Sequence, residues 1–329
     1  MFQRLRPLCV VLLALVLVAA GLASCRQRPL SHFGGGPTGS TLHHFAEGLV
    51  GLVNQEKLAF HLVLNRSGGS LANLTEVNAG NYDMALVYAG DAHLGSRGKL
   101  DQNLPPTTHV RALARLYGAP AQLAVLQGST IHSPRELKRR RVAIGNPGSG
   151  SALAAERYFR SLGLWREIIP VYLGTVMALE DLEKGAVEAV WEQSGVPSAP
   201  LQAFARRTGV RLLDLQADAL ASGLFEHYPF YTATYIPAGT YRGLSHDVAS
   251  FQDTALWVAH ERVSSEFVRK ALALVFSPAG QKQLLKADPV ARDLSAELGL
   301  YGVHIPLHPG ALTFWQEQGI ALPQPSTDH

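Results

Sequence analysis

The chain has 329 residues, 47% of them hydrophobic and 17% charged, with a formal net charge of +3. Acidic and basic residues are interspersed, so no basic surface asks for a nucleic-acid partner. A chain of this length and composition supplies a sizeable core, and one core rarely grows beyond about 250–300 residues, so two lobes are expected.

Arg4 and Arg6 precede an apolar run from Leu8 to Leu22, broken only near its end by Gly21. This is the charged and apolar pattern of a secretory leader. The run is short of the roughly 20 residues a spanning helix prefers, and Ser24, Cys25 and Arg26 follow at once, so a permanent span is the weaker reading. Leu22-Ala23-Ser24-Cys25 resembles the cleavage box of bacterial lipoproteins. That makes 1–24 the signal peptide and Cys25 the lipid anchor of a periplasmic protein held at a bacterial cell membrane. Cys9 leaves with the leader, so the exported chain keeps neither a disulfide nor a catalytic thiol and rests on its own core.

Beyond the leader, short β-rich runs alternate with helical segments: Ala59 to Leu64, Leu71 to Ala79, Met84 to Tyr88. Ser133-Pro134-Arg135-Glu136 has the pattern of a capped helix start, and the basic run Lys138-Arg139-Arg140-Arg141 fits its solvated end. The alternation returns in Val142 to Gly145, Leu153 to Leu162, Ile168 to Leu173, Met177 to Lys184, Val187 to Trp191 and Val210 to Leu213. Such alternation predicts an α/β architecture with mainly parallel strands. Ala79-Gly80 and Lys184-Gly185 echo each other, each glycine capping a helix before a buried strand, as expected of two lobes built alike. Tyr228 to Tyr241 is aromatic and β-rich, Ser264 to Leu285 is helical with a break at Pro278, and an amphipathic stretch follows His308-Pro309-Gly310. Pro323-Gln324-Pro325-Ser326 has the composition of a frayed tail.

Three glycine-hydroxyl clusters stand where a helix is about to begin: Gly39-Ser40-Thr41, Ser67-Gly68-Gly69-Ser70 and Gly148-Ser149-Gly150-Ser151. Each offers unpaired amides, a positive dipole end and hydroxyls; brought together, they form an anion site that needs no arginine. None continues into the Gly-Lys-Ser/Thr ending of a nucleotide phosphate loop, and Gly34-Gly35-Gly36 lacks a convincing strand before it, against a dinucleotide fingerprint. Neither Ser70 nor Ser149 sits in a nucleophile elbow. His43 and His44 are adjacent and His32 and His61 isolated, which is not a metal-ligand spacing. No acid–base or nucleophile–base pair is placed by any motif, so the expectation is no enzyme, no cofactor and no metal.

With these clusters and their spacing, the chain resembles the TAXI family of solute-binding proteins, the extracytoplasmic receptors of TRAP-type secondary transporters. The likeness covers nearly the whole exported chain and rests on Gly36-Pro37-Thr38-Gly39-Ser40-Thr41, Ser67 to Leu74, Asn146 to Ser151, Gly195-Val196-Pro197, Tyr228-Pro229-Phe230-Tyr231, Ile236 to Tyr241 and Ile305 to Ala311. It implies a two-lobed periplasmic-binding-protein fold of type II topology with two strands crossing at a hinge, placed near Gln122 to Gln127 and Thr254 to Ala259. Lobe 1 is then 25–127, lobe 2 128–253, and 254–329 a return segment with C-terminal helices. Closure about the hinge would signal the loaded state to the transporter. The implied ligand is a small carboxylate: an amino acid such as glutamate, a dicarboxylate or a 2-oxo acid. TRAP-type membrane subunits are the implied partners of a monomer.

The ligand-binding candidates are Gly39, Ser40, Thr41, Gly69, Ser70, Tyr88, Ser149, Gly150, Ser151, Glu192, Gly195 and Tyr231. The hydroxyls of Ser40, Thr41, Ser70, Ser149 and Ser151 would donate to carboxylate oxygens, while Tyr88 and Tyr231 close the pocket. The chain departs from the family pattern at Leu42-His43-His44 and at Tyr88-Ala89-Gly90-Asp91, on the expected pocket wall. A carboxylate at Glu192, if it faces the cleft, would repel an anion and favour an amine-bearing ligand. Two other readings stay open: a lipoprotein of this fold acting in surface interactions without transport, and the receptor of an ATP-driven importer.

Overall fold

A computed structural model describes residues 28–322. The segment expected to be a signal peptide, the Cys25 expected as lipid anchor and the tail from Pro323 lie outside the described residues.

The chain opens with β1 (Leu30–Gly36), α1 (Thr41–Gln55), β2 (His61–Arg66), α2 (Ser70–Asn78), β3 (Met84–Tyr88) and α3 (Ala89–Ser96). A 17-residue strand, β4 (Val110–Leu126), leads to β5 (Arg141–Ala143), α4 (Gly150–Ser161), β6 (Ile169–Val171), α5 (Thr175–Glu183) and β7 (Ala189–Gln193). Then come α6 (Ala199–Arg207), β8 (Val210–Leu212), α7 (Gln216–Ala221), α8 (Leu224–His227), β9 (Thr232–Ile236) and the 13-residue β10 (Val248–His260). Three helices close the order: α9 (Ser265–Val275), α10 (Pro278–Ala287) and α11 (Pro309–Glu317).

The strands run β2-β1-β3-β10-β4-β7-β5-β6, with β8 paired to β4 and β9 to β10. Pairing is parallel within β2-β1-β3 and within β7-β5-β6. It is antiparallel wherever β4 or β10 takes part, so the sheet is mixed rather than mainly parallel. β4 pairs with β10 up to Pro120 and with β7 from Ala121. The buried core changes over at the same place: Ala119 packs in a cluster with Phe33, Leu86 and Trp257, and Ala121 in one with Tyr158, Trp191 and Phe251. On β10 the same change falls between Phe251 and Ala255. The protein is therefore a two-lobed α/β fold with two strands crossing between the lobes. The changeover on β4 comes just ahead of the expected 122–127 segment, and that on β10 adjoins the expected 254–259.

In the second lobe side chains alternate along each strand, Leu123 and Val125 on one face and Ala124 on the other, Trp191 on one and Val190 on the other, so both sheet faces are covered. The helix breaks follow the sequence. Ser277 accepts from the Gly280 amide and Pro278 opens α10, which ends α9 where the proline marked it.

Two further segments show how distant contacts shape local structure. Gly34-Gly35-Gly36 is itself strand, the end of β1. Glycine is a poor strand former, but here its lack of a side chain is needed. A Cβ on Gly34 would lie 2.5 Å from Asn73 Oδ1 and 2.8 Å from Tyr82, and Asn73 Nδ2 donates to the carbonyls of Gly34 (3.2 Å) and Leu86 (2.7 Å). The helix expected from Pro134 is a single 3-10 turn, Pro134–Leu137. Glu136 turns back to the His132 amide and Ser133 hydroxyl, and Arg139 takes a positive φ of 60° as the chain bends into β5. We expect Gly34→Ala to lower unfolding free energy in urea by about 1–3 kcal/mol through this overpacking; wild-type stability would refute the close approach.

Candidate functional site

The C-terminal ends of the parallel strands of both lobes meet at one cavity of about 320 Å³. It is walled by 37–42 after β1, by Gly69 and Ser70 after β2, and by Tyr88 at the end of β3. The second lobe contributes Gly145, Asn146 and 149–151 after β5, 174–177 after β6 and 192–194 at the end of β7. Ligands of open α/β sheets bind at this edge, because helices that follow parallel strands start there.

The turn after β1 and the turn after β5 are built alike. Gly36 and Gly145 take φ of 132° and 109°, and Gly39 and Gly148 take 83° and 71°, values open to glycine. Ser40 caps α1, accepting from the His43 amide (3.3 Å) and donating its hydroxyl to Pro37 O (2.7 Å). Ser149 caps α4 in the same manner, accepting from Ala152 (3.1 Å) and donating to Asn146 O (2.7 Å). The hydroxyl hydrogens of Ser40 and Ser149 are thus spent within their own turns and do not donate to a ligand as expected. What they leave open are first-turn amides with no intrahelical acceptor, those of Thr41 and Leu42 in α1 and of Gly150 and Ser151 in α4.

Ser70 and Ser151 form a second matched pair. Ser70 Oγ accepts from the Tyr88 amide at the end of β3 (2.9 Å), and Ser151 Oγ from the Gln193 amide at the end of β7 (3.0 Å). Both keep a hydroxyl hydrogen to give. The echo at Ala79-Gly80 and Lys184-Gly185 has the same basis: Gly80 and Gly185 end α2 and α5 at φ of 77° and 71°, each before a strand.

The lobes touch around the cavity. Tyr88 is buried, and its OH donates to Gln193 O across the cleft (2.7 Å). A Cβ on Gly150 would strike the Tyr88 ring and stand 2.7 Å from Asp91 Oδ2, so only glycine fits. Gly195 does not line the cavity; it packs beside Thr41 and Val290 of the other lobe. Tyr231 does not line it either: it is buried against Phe230 and Phe251, and its OH accepts from Arg157 Nη1 (3.2 Å). The other ten candidates do line it. Of the two family departures, Leu42 and Tyr88 face the cavity, whereas His43, His44 and Asp91 do not.

Glu192 lines the cavity and is only 5% exposed. Its Oε1 accepts from Thr175 Oγ1 (3.3 Å), while Oε2 has no partner. Burial raises its carboxyl above the usual range, opposed by the hydroxyls of Ser198, Ser194 and Thr175. Sequence reasoning missed Gly174-Thr175, a fourth glycine-hydroxyl pair at a helix start, whose signal was present but shorter than the other three. Among the described residues no cluster of His, Cys, Asp or Glu could hold a metal ion, and no helix is long and apolar enough to cross a membrane.

A buried ion pair also joins the lobes. Arg157 of α4 donates to Asp91 of α3 (2.7 Å), and both are nine-tenths buried or more. Nearby, Asp253 of β10 accepts from the amides of Gly90 and Thr254, and burial together with the charge of Asp91 pushes its carboxyl up to about 7. Since that lies above the value of an unfolded aspartate, this group's contribution to stability is complete below about pH 4 and is lost as pH rises through about 7. Asp253→Asn is expected to flatten the fall in melting temperature between about pH 4 and 7; a variant whose slope matches the wild type would contradict this.

The NMT1-like family model matches residues 33–319. The chain is similar in structure to a periplasmic transporter (13% identity, 89% of this chain and 93% of that one, TM-score 0.53). It is similar to a putative L-cystine ABC transporter from Listeria monocytogenes (13% identity, 81% and 98%, TM-score 0.51). A protein from Bordetella bronchiseptica RB50 shows the same degree of likeness (12% identity, 89% and 90%, TM-score 0.51). At such identities the likeness is one of fold.

Proposed function

The chain belongs to the NMT1-like family, and on that premise we propose that it is an extracytoplasmic receptor that captures a small carboxylate and delivers it to a membrane transporter. The observation that carries this is the convergence of strand ends and helix starts from both lobes on one cavity, with two crossing strands between the cores. A carboxylate there meets the first-turn amides of α1 and α4 and the hydroxyls of Thr41, Ser70 and Ser151, all held by the surrounding turns. On this reading the site holds its guest for release and does not transform it. Motion about β4 and β10 would convert occupancy into a shape a transporter distinguishes.

The landmarks shared with TAXI receptors support TRAP-type membrane subunits as the partner, with Cys25 as the lipid anchor of a periplasmic monomer. A receptor for an ATP-driven importer is the second reading, favoured by the fold shared with the Listeria protein. Reconstitution with each class of membrane subunit separates the two.

Thermal unfolding of the exported chain, stripped of bound ligand, tests the receptor reading against a panel of amino acids, dicarboxylates and 2-oxo acids. A true ligand at about 100 times its Kd adds ~2.7 kcal/mol and raises Tm by several degrees. No shift across the panel would instead favour a surface-interaction lipoprotein.

A further inference from the structure

We propose that Glu192 is the subsite for the ligand's ammonium group, so that the receptor takes neutral α-amino acids and rejects the corresponding 2-oxo acids, dicarboxylates and glutamate. This rests on the carboxylate-receptor reading and narrows it.

Of the residues lining the cavity, Glu192 is the only carboxylic acid, and none is a lysine, arginine or histidine. A buried carboxylate is costly unless a cation or several donors answer it. Glu192 receives one hydroxyl, from Thr175, and its Oε2 receives nothing. Most other donors around it are engaged elsewhere, and the buried hydroxyl left without a partner, that of Ser198, is neutral and only partly offsets the cost of burial. Gln122 Nε2 donates to Ser194 Oγ, Tyr241 OH to Gln122 Oε1, and the Ser198 amide to Tyr241 OH. The buried guanidinium of Arg157 is committed to Asp91 and Tyr231. Neutral hydroxyls are all the chain sets against this carboxyl, so the charge partner it lacks, a cation, is supplied from outside the chain.

The cavity is thus polarised. Helix starts with open amides supply a positive end that suits a carboxylate, and Glu192 supplies a negative end that suits an ammonium. An α-amino acid carries both charges on one carbon. A 2-oxo acid puts a carbonyl oxygen where Glu192 needs a donor, and a dicarboxylate sets like charges together. No cation lines the cavity to receive a side-chain carboxylate, whereas Leu42, Val176 and Met177 offer apolar contacts. These favour a neutral, aliphatic side chain over that of glutamate.

Isothermal titration of the exported chain tests this with two matched pairs, L-alanine with pyruvate and L-leucine with 4-methyl-2-oxopentanoate, beside L-glutamate, succinate and propylammonium. One neutral amino acid is expected to bind roughly 30-fold or more tightly than its 2-oxo partner, the loss typical of leaving a buried charge unpaired. Glu192→Gln should lower that affinity by a similar factor and bring the two partners within about threefold of each other. Glu192→Asp, which keeps the charge, should keep the preference, and its unfolding curve guards against a variant that merely fails to fold. Equal binding of the two partners, tighter binding of succinate or glutamate, or a preference unchanged in Glu192→Gln overturns the assignment. If propylammonium alone binds, and does so through Glu192, the carboxylate reading falls while the ammonium subsite stands; if nothing binds, both fall.

Discussion

The antiparallel pairing of β4 with β10 is the constraint from which the rest follows. Each strand begins in one core and ends in the other, so the pairing both joins the lobes and fixes how they face. With that seam at the centre, the strand order β2-β1-β3-β10 on one side is answered by β6-β5-β7-β4 on the other. The parallel strands of both lobes end at the same cleft, and the helices that follow them begin there. A concentration of unpaired backbone donors between the lobes is thus a product of topology before any side chain is chosen.

Side chains then adjust that common frame. Ser40 and Ser149 hold their turns and stabilise the helix ends, whereas Thr41, Ser70 and Ser151 keep hydrogens to give. Tyr88 spans the cleft because burial holds its phenol neutral and its OH finds the Gln193 carbonyl. Arg157 and Asp91 compensate each other out of water, where either alone would be strongly destabilising. Glu192 differs in having no cation against it: each of these two buried carboxyls leaves one oxygen without a hydrogen bond, but only Asp91 faces a guanidinium.

Much of this was readable along the chain because it is local. Glycine and hydroxyl at a helix start, a glycine after a helix end and Pro278 after Ser277 all act within a few residues, and the structure has each of them. What was not readable depends on partners far along the chain. Gly34 stands inside a strand as glycine because Asn73 and Tyr82 leave no room for a Cβ. Tyr231 looked like a pocket residue but is drawn under by Phe230, Phe251 and Arg157, and the Arg157–Asp91 pair spans 66 positions. The Pro134 segment carries a helix signature that yields to the bend into β5.

Gly36, Gly39 and Ser40 repeat the backbone of Gly145, Gly148 and Ser149, although the flanking residues have little in common. The matching stops at the strand ends: position 192 of β7 carries a carboxyl where the equivalent place in β3 carries Val87, so a cradle with two like turns still presents unlike ends to whatever lies between them.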